Sequence, residues 1–507
     1  MNPIDTPDAW ATLPQLLAAY PPPQPIQLTA VERAVRAARS VLVVLDDDPT
    51  GTQAVCDVPV LTSWDTEDFA WAFAQLDQAN AAPAVFVEVN TRSLDPDAAA
   101  QRNRSAVANA LRAAAPKRIA LRFASRSDST LRGHFPLEPD AIAEALVDAG
   151  HQPPDGVLLV PAFPEAGRIT IGGTHFVRAG EDRVQPVGQT EFARDPTFGY
   201  TSSDLADYAV ERSAGRWKRA DVRVLTLDLV RTGPEAIAAA LSDVSDGAPI
   251  AADCATEDDL LALALGVLHA EADGLTLLPR SGPSFIRAMI AQRRRPPLTS
   301  AQAFEGATPG AKGGLIVVGS HVGVSTRQLA QLRRTRPGLA AMELDVASLV
   351  ANGTGRGGQD LADGIVQHLA EGNVVLYSSR TPVTGQDAAG SLAIARRVSD
   401  ELAQIAARVI DSVRPRFVIA KGGITSSDVA QYGLRMRRAT VRGCLLPGIV
   451  SLWLAAEGPG RGIPFTVFAG NVGDDDALAQ VVDLLSAPGL TEAAPTRAVP
   501  STSRRMP

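Results

Sequence analysis

Val41-Leu42-Val43-Val44-Leu45-Asp46-Asp47-Asp48-Pro49-Thr50-Gly51-Thr52-Gln53 begins as an apolar, Val-rich run and empties into three carboxylates and a turn. A short apolar run that stops at polar, Pro and Gly residues predicts a buried strand, here Val41–Asp46. The pattern returns at Ala84–Val89, Arg118–Phe123 and Gly156–Val160. Helical patterns fall between, at Asp95–Ala114 and Leu137–Ala149. The second of these has acidic residues in its early turns, which suits the helix dipole. Alternating strands and helices predict the α/β class, with mostly parallel sheets flanked by helices.

Working outward, the middle of the chain is less regular. Arg168–Val177 reads as a hairpin and Arg223–Leu229 as a strand. Ala291–Lys312, with its RRRPP run, Gly and Pro, reads as an interdomain linker. The alternation then restarts: strand Gly314–Gly319, helix Ser325–Arg334, strand Val374–Ser378, helix Ser391–Ser412, and strands Arg416–Ala420 and Pro464–Ala469. We therefore expect two α/β domains, 31–295 and 314–487, joined by a linker at 296–313. A Pro-rich arm at 1–30 and a tail at 488–507 are expected to be loosely held. Ligands of open α/β sheets bind beyond the carboxyl ends of the strands, so the site is expected in the interdomain cleft.

Composition narrows the function. The 507 residues are 45% hydrophobic, 21% charged and 5% aromatic, with a net charge of −8. Few aromatics and an acidic balance exclude a general nucleic-acid binder. Only four of the 48 basic residues are lysines: Lys117, Lys218, Lys312 and Lys421. This matches a GC-rich coding bias and makes a lysine at a site worth notice. Cys56, Cys254 and Cys444 lie far apart, so no disulfide framework or zinc knuckle is expected. The first residues lack a signal peptide's basic and apolar regions. The longest apolar run is about nine residues, far short of the roughly 20 that span a bilayer. A cytoplasmic protein with no membrane partner is expected.

Six segments at strand ends carry chemistry. Asp46-Asp47-Asp48 crowds like charges, which suits proton abstraction or cation binding, although a solvated acidic turn has the same letters. Arg126-Ser127-Asp128-Ser129-Thr130-Leu131-Arg132-Gly133-His134 mixes arginine forks, hydroxyls and a carboxylate. Asn90-Thr91-Arg92-Ser93 has similar chemistry. Val318-Gly319-Ser320-His321, Lys421-Gly422-Gly423-Ile424-Thr425-Ser426 and Ala469-Gly470-Asn471-Val472-Gly473 each run from a strand into Gly. Glycine lets backbone approach a ligand, and a helix start presents free N–H groups to phosphate. Three such turns in one half point to a nucleotide site. Gly306–Lys312 is one residue short of a P-loop. The six histidines show no metal-ligand spacing, so no dedicated protein metal site is expected. Gly353-Thr354-Gly355-Arg356-Gly357-Gly358 matches a dinucleotide fingerprint but lacks a strand directly before it, and reads as a loop.

In order, these segments resemble the four-carbon acid sugar kinase family, from about Val41 to Leu485. The resemblance also rests on Pro161-Ala162-Phe163-Pro164-Glu165-Ala166-Gly167-Arg168. It implies an N-terminal sugar-acid domain, a C-terminal nucleotide domain, and ATP with Mg2+ acting on threonate, erythronate or a 3-oxo-tetronate. It implies substrate contacts from Asp47, Asp48, Asn90, Arg92, Arg126, Ser127, Asp128, Ser129 and Arg132. Asp47 is the expected base and Asp128 the runner-up. It implies ATP contacts from Ser320, Lys421, Gly422, Gly423, Ile424, Thr425, Gly470 and Asn471. The family usually has lysine where this chain has Arg126. Two other readings stay open: an NAD-type enzyme using Gly353–Gly358, and a catalytically silent binding or effector protein. A homodimer also stays open.

Overall fold

The computed structural model describes residues 11–77, 81–352, 356–381, 383, 385 and 388–487. Among these, fifteen strands form one continuous sheet. The N-terminal half contributes, in spatial order, Val58–Leu61, Ala84–Glu88, Ser40–Asp46, Ala120–Arg126, Leu277–Ser281, Gly156–Val160, Ala248–Ala252 and Arg223–Leu225, all parallel. The C-terminal half contributes Ala340–Leu344, Val374–Ser378, Leu315–Val318, Val418–Lys421 and Pro464–Phe468, also parallel to one another. Two antiparallel strands, Val450–Ala455 and Arg438–Leu446, then carry the sheet to Val58–Leu61.

The expected α/β class holds, and the two groups of strands meet edge to edge in one sheet. The central strands are buried on both faces, as parallel strands covered by helices are. Register sets the chemistry. Asp46 pairs laterally with Glu88 on one side and Arg126 on the other. In both halves the chain doubles back beside a central strand, Ser40–Asp46 or Leu315–Val318. That reversal opens a crevice at the carboxyl ends.

Several expectations are revised. The strand beginning at Arg223 ends at Leu225, because Thr226 starts a short helix, Leu227–Val230. Ala248–Ala252 (APIAA) and Leu277–Ser281 (LLPRS) are strands despite weak β-formers and internal prolines. Their neighbours in the sheet, not their own propensity, hold them there. From residue 11 the N-terminal arm is docked. Leu13, Leu16, Leu17 and Tyr20 pack on Ile169, Ile171 and Phe176 of a second, three-stranded sheet. Residues 1–10 and 488–507 lie outside the described residues. The linker is clasped by the C-terminal half: Leu298 N–H donates to the Cys444 carbonyl at 2.8 Å and Ala311 N–H to that of Arg414 at 2.7 Å. Gly353–Gly355 lie outside the described residues, and Arg356 onward is the helix Arg356–Leu369 rather than a loop. A helix, Val346–Asn352, separates this segment from the strand Ala340–Leu344. The strand–turn–helix that a dinucleotide fingerprint requires is therefore missing there.

The two halves are locked by charge as well as by the ladder. Asp68, on the helix Thr66–Gln75, is 0% exposed and accepts from Arg437 and Arg438, each at 2.8 Å. Asp65 meets Arg437 at 2.7 Å but is largely exposed. Removing one partner of a buried pair costs about 3–5 kcal/mol, and an exposed pair about 0–1 kcal/mol. Asp68→Ala should therefore lower the urea midpoint markedly, while Asp65→Ala should shift it little.

Candidate active site

The acidic segment after the strand Ser40–Asp46 folds into a 3-10 turn, Pro49–Ala54, with Asp48 as its cap. Asp48 accepts from the Thr50 N–H at 2.7 Å and from the Thr50 hydroxyl. Gly51 is needed for space. A Cβ there would strike the Arg126 guanidinium and the Asp46 carboxylate.

Arg126, 2% exposed, is the hub. Its guanidinium bonds Asp46, reaches Asp48 Oδ1 at 3.2 Å, donates to the Asp48 carbonyl, and lies 3.5 Å from Asp47. Arg92 bonds Asp48 and lies 3.8 Å from Asp47 and 3.6 Å from Asp128. Arg132 pairs with Asp128 at 2.7 Å. Asn90, at φ +47°, turns the chain so that its N–H meets Glu88 Oε1 at 3.1 Å. Ser127 donates its N–H to the Ser281 carbonyl at 2.9 Å. The Ser129 carbonyl accepts from His175 Nε2 at 2.8 Å. The structure thus brings Asp47, Asp48, Arg92, Arg126, Asp128 and Arg132 into one charged cluster, with Asn90, Ser127 and Ser129 on its supporting turns.

The two candidate bases differ sharply. Asp47 is 1% exposed, yet neither carboxylate oxygen has a hydrogen-bond partner. Asp128 is also buried, which raises its pKa, but Arg132, Arg92 and the Thr130 hydroxyl outweigh burial and hold it below the usual carboxylate range. Beside them Asp46 is pushed up to about 7, mainly by burial, against the pull of Arg126. Glu88 is raised well above its ordinary value by burial and then by Asp46.

Facing this cluster are the turns of the C-terminal half. Gly422 sits at φ +124°, a conformation that excludes most side chains, and a Cβ there would lie 3.1 Å from Ser320 Cβ. A Cβ on Gly470 would lie 2.6 Å from Ser320 Oγ. A Cβ on Gly423 would lie 2.5 Å from Asp48 Oδ2, across the two halves. Ser320, Gly422, Gly423 and Gly470 therefore form one cradle whose far wall is the acidic segment. Ile424 and Thr425 follow in the first turn of the helix Gly423–Asp428, whose leading N–H groups have no intrahelical acceptor. Asn471 follows Gly470 on the adjoining turn and is partly exposed.

Lys421 is a correction. It was expected at the nucleotide, but it is 0% exposed beneath the turn. Its Nζ donates to the Ala469 carbonyl at 2.6 Å and lies 3.9 Å from the centre of the Phe468 ring. Burial holds its pKa well below the ordinary lysine value. It pins the strand ends that carry Gly422 and Gly470 and does not line the cradle.

Sequence reasoning passed over Glu88, Arg280, Ser378 and Arg380. Arg280 bonds Glu138 and donates to the Ser125 hydroxyl at 2.6 Å. Arg380 donates to the Ser320 carbonyl at 2.7 Å and to Ser378 Oγ at 2.6 Å. The letters Ser378-Ser379-Arg380 at a strand end were the available signal. Among the described residues no cluster of three or more His, Cys, Asp or Glu could hold a metal ion. No described helix is long and apolar enough to cross a membrane.

Comparison with known proteins agrees with this architecture. Residues 42–289 match the sugar-binding N-terminal domain and residues 315–478 the nucleotide-binding C-terminal domain. A D-threonate kinase of Cupriavidus necator is 32% identical over 397 residues, 76% of this chain and 82% of that protein. The chain belongs to the four-carbon acid sugar kinase family. A D-erythronate kinase of Heliobacterium modesticaldum is 27% identical over 461 residues, 88% of this chain and 97% of its own. A solved Salmonella typhimurium LT2 structure shares the fold, with a TM-score of 0.60 at 18% identity over 87% of this chain and 98% of that one.

Within this family member, Asp46 couples the site to pH. Between 3.8 and about 7 the folded chain keeps on Asp46 a proton that the unfolded chain releases. Stability from this group is therefore greatest below 3.8, falls as pH rises through that window and is flat above it. Denaturant titrations from pH 4 to 8 should show this falling component, and Asp46→Asn should reduce it, leaving the part of the same sign that the raised Glu88 contributes.

Proposed function

We propose that this chain is an ATP-dependent kinase that phosphorylates a hydroxyl of a four-carbon sugar acid: threonate, erythronate or a 3-oxo-tetronate. The observation that carries the proposal is the meeting of Asp48 with Gly423. It gives the acidic cluster and the glycine cradle a common wall. An acceptor hydroxyl on one side and a terminal phosphate on the other then share one space, and phosphoryl transfer needs mainly that positioning.

In this scheme the domain at 31–295 holds the sugar acid and that at 314–487 holds ATP, in the cytoplasm. With no side chains at Gly422, Gly423 and Gly470, Ser320 and Asp48 approach the turn closely, and the same bare backbone lies within reach of a phosphate chain. Ile424, Thr425 and Asn471 adjoin it, and Arg380 adds a cation beside Ser320. Mg2+ would supply charge neutralisation for the phosphates, and Asp48, whose carboxylate lies against Gly423, would be the residue to hold it. Asp47 takes the proton from the acceptor hydroxyl, because its buried oxygens have no other hydrogen-bond donor. The hydroxyl oxygen bonds the terminal phosphorus as the bond to the bridging oxygen breaks, and ADP leaves. Asp128, engaged by two arginines and Thr130, orients the substrate hydroxyls. Asn90, Arg92, Ser127, Ser129 and Arg132 complete the substrate wall.

Two variants test the halves separately. Asp47→Asn should cut kcat by about 10²- to 10⁴-fold in an ADP-release assay over the three acids. Calorimetry should find its ATP affinity nearly unchanged, and a wild-type rate would reassign the base. Gly423→Val forces a Cβ against Asp48, a clash of about 1–3 kcal/mol. Nucleotide affinity should fall roughly tenfold or more; unchanged affinity would move ATP elsewhere.

A further inference from the structure

The segment Pro161–Arg168 leaves the carboxyl end of the strand Gly156–Val160 and has not yet been given a role. Its Glu165 is spent on structure, bonding Ser284 at 2.6 Å and Arg287 at 2.8 Å. Arg168 is different. It closes the turn by backbone bonds with Phe163 at 2.8 and 3.0 Å and begins the strand Arg168–Ile171. Next in that small sheet is His175, which accepts from the Thr170 hydroxyl at 2.9 Å and donates to the Ser129 carbonyl at 2.8 Å. The small sheet thus braces the Arg126–Thr130 segment from behind.

Arg168 is 8% exposed. Among the described residues its guanidinium bonds only the Ala166 carbonyl, through Nη1, and its buried Nε has no partner. No described carboxylate pairs with it. The other arginines of the site are all taken: Arg92 by Asp48, Arg126 by Asp46, Arg132 by Asp128 and Arg280 by Glu138. Asp128 and Arg132 lie within electrostatic reach of Arg168, opposing one another, while burial draws its pKa down. A buried cation without a counterion is strongly disfavoured unless an anion completes it.

We propose that Arg168 binds the carboxylate of the sugar acid and so makes the site select acids over neutral polyols. This rests on the sugar-acid reading above and adds to that substrate wall a residue from the small sheet. Free guanidinium donors match a carboxylate's two oxygens. The position, close to Asp128, lets the acid group dock on Arg168 while Asp128 accepts from a neighbouring hydroxyl.

The test compares threonate and erythronate with threitol and erythritol, the same four-carbon skeletons without a carboxylate. Arg168→Met should lower kcat/KM for the acids about 100-fold. Its KM for ATP and any turnover of the polyols should stay near wild type, so the acid-to-polyol ratio collapses. Arg168→Lys should recover part of that ratio, and it serves alone if the Met variant does not fold. An unchanged ratio in a folded variant overturns the proposal, because a merely structural residue would depress acids and polyols together. If the wild-type protein phosphorylates no four-carbon acid, the kinase reading fails by itself. Arg168 is then judged by thermal stabilisation with the same compounds. Acid-specific stabilisation that is lost in Arg168→Met supports it, and no acid-specific stabilisation of wild type overturns it.

Discussion

The antiparallel ladder between Val58–Leu61 and Arg438–Leu446 is the constraint on which the site depends. Because it and the next two pairings are antiparallel, the parallel strands of the two halves run in opposite senses along one sheet. In a flat sheet their carboxyl ends would lie at opposite edges. Strands twist by about 20–25° per step, so the six steps from Ser40–Asp46 to Val418–Lys421 turn the sheet by roughly 120–150°. Two register shifts in Arg438–Leu446 add to this, since bulges increase local twist. The twist brings the two sets of carboxyl ends round to face each other. The acidic segment is fixed to the far half as well: Thr52 Oγ1 accepts from Trp453 Nε1 and contacts Ser451 Oγ, both at 2.9 Å. Closure about a simple linker is not needed to bring Asp48 to Gly423. The sheet already holds them together.

Within that frame, charge balance decides which group can react. Asp46, Asp47, Asp48, Glu88 and Asp128 lie close to Arg92, Arg126 and Arg132, so acids outnumber paired arginines. The excess is met partly by protonation: Glu88 is pushed far up and Asp46 to about 7. What remains is graded by hydrogen bonding. Asp128 and Asp48 have several donors each, whereas Asp47 is near two guanidiniums without a hydrogen bond from either. A carboxylate with neither oxygen hydrogen-bonded can accept a proton without first surrendering a bond. That distinction separates three adjacent aspartates that are identical as letters.

The α/β class, most strands before residue 160 and the glycine turns were legible because their signals are local. Apolar runs, the acidic early turns of the helix Leu137–Asp148 and Gly after a strand each act over a few residues. Ala248–Ala252 and Leu277–Ser281 were not legible, since prolines and alanines mask strands that only their neighbours stabilise. Arg438–Leu446 shows a clean alternation of burial, but its signal is broken by Gly443 and charged residues. The site residues were largely visible as motifs. Their pairing was not, because Arg126–Asp46 and Asp48–Gly423 bridge separations no local pattern reports. Lys421 was misread for that reason: adjacency to glycines in sequence says nothing about which side of the strand a side chain takes.

Arg126 and Lys421 also show that arginine and lysine answer different geometric demands. Arg126 needs a fork. Its donors serve Asp46, both the carbonyl and the carboxylate of Asp48, and the Ser127 carbonyl at 3.2 Å. A single ammonium could not span that set, so arginine ties the acidic turn down more firmly than lysine would. Lys421 faces the opposite demand. Its amine ends against one carbonyl, over an aromatic face, in a space with no exposed surface. A guanidinium there would be too large and would leave donors unmatched in the core. The guanidinium that makes the hub at Arg126 would damage the cradle at Lys421, and each residue is the one its volume and acceptor count require.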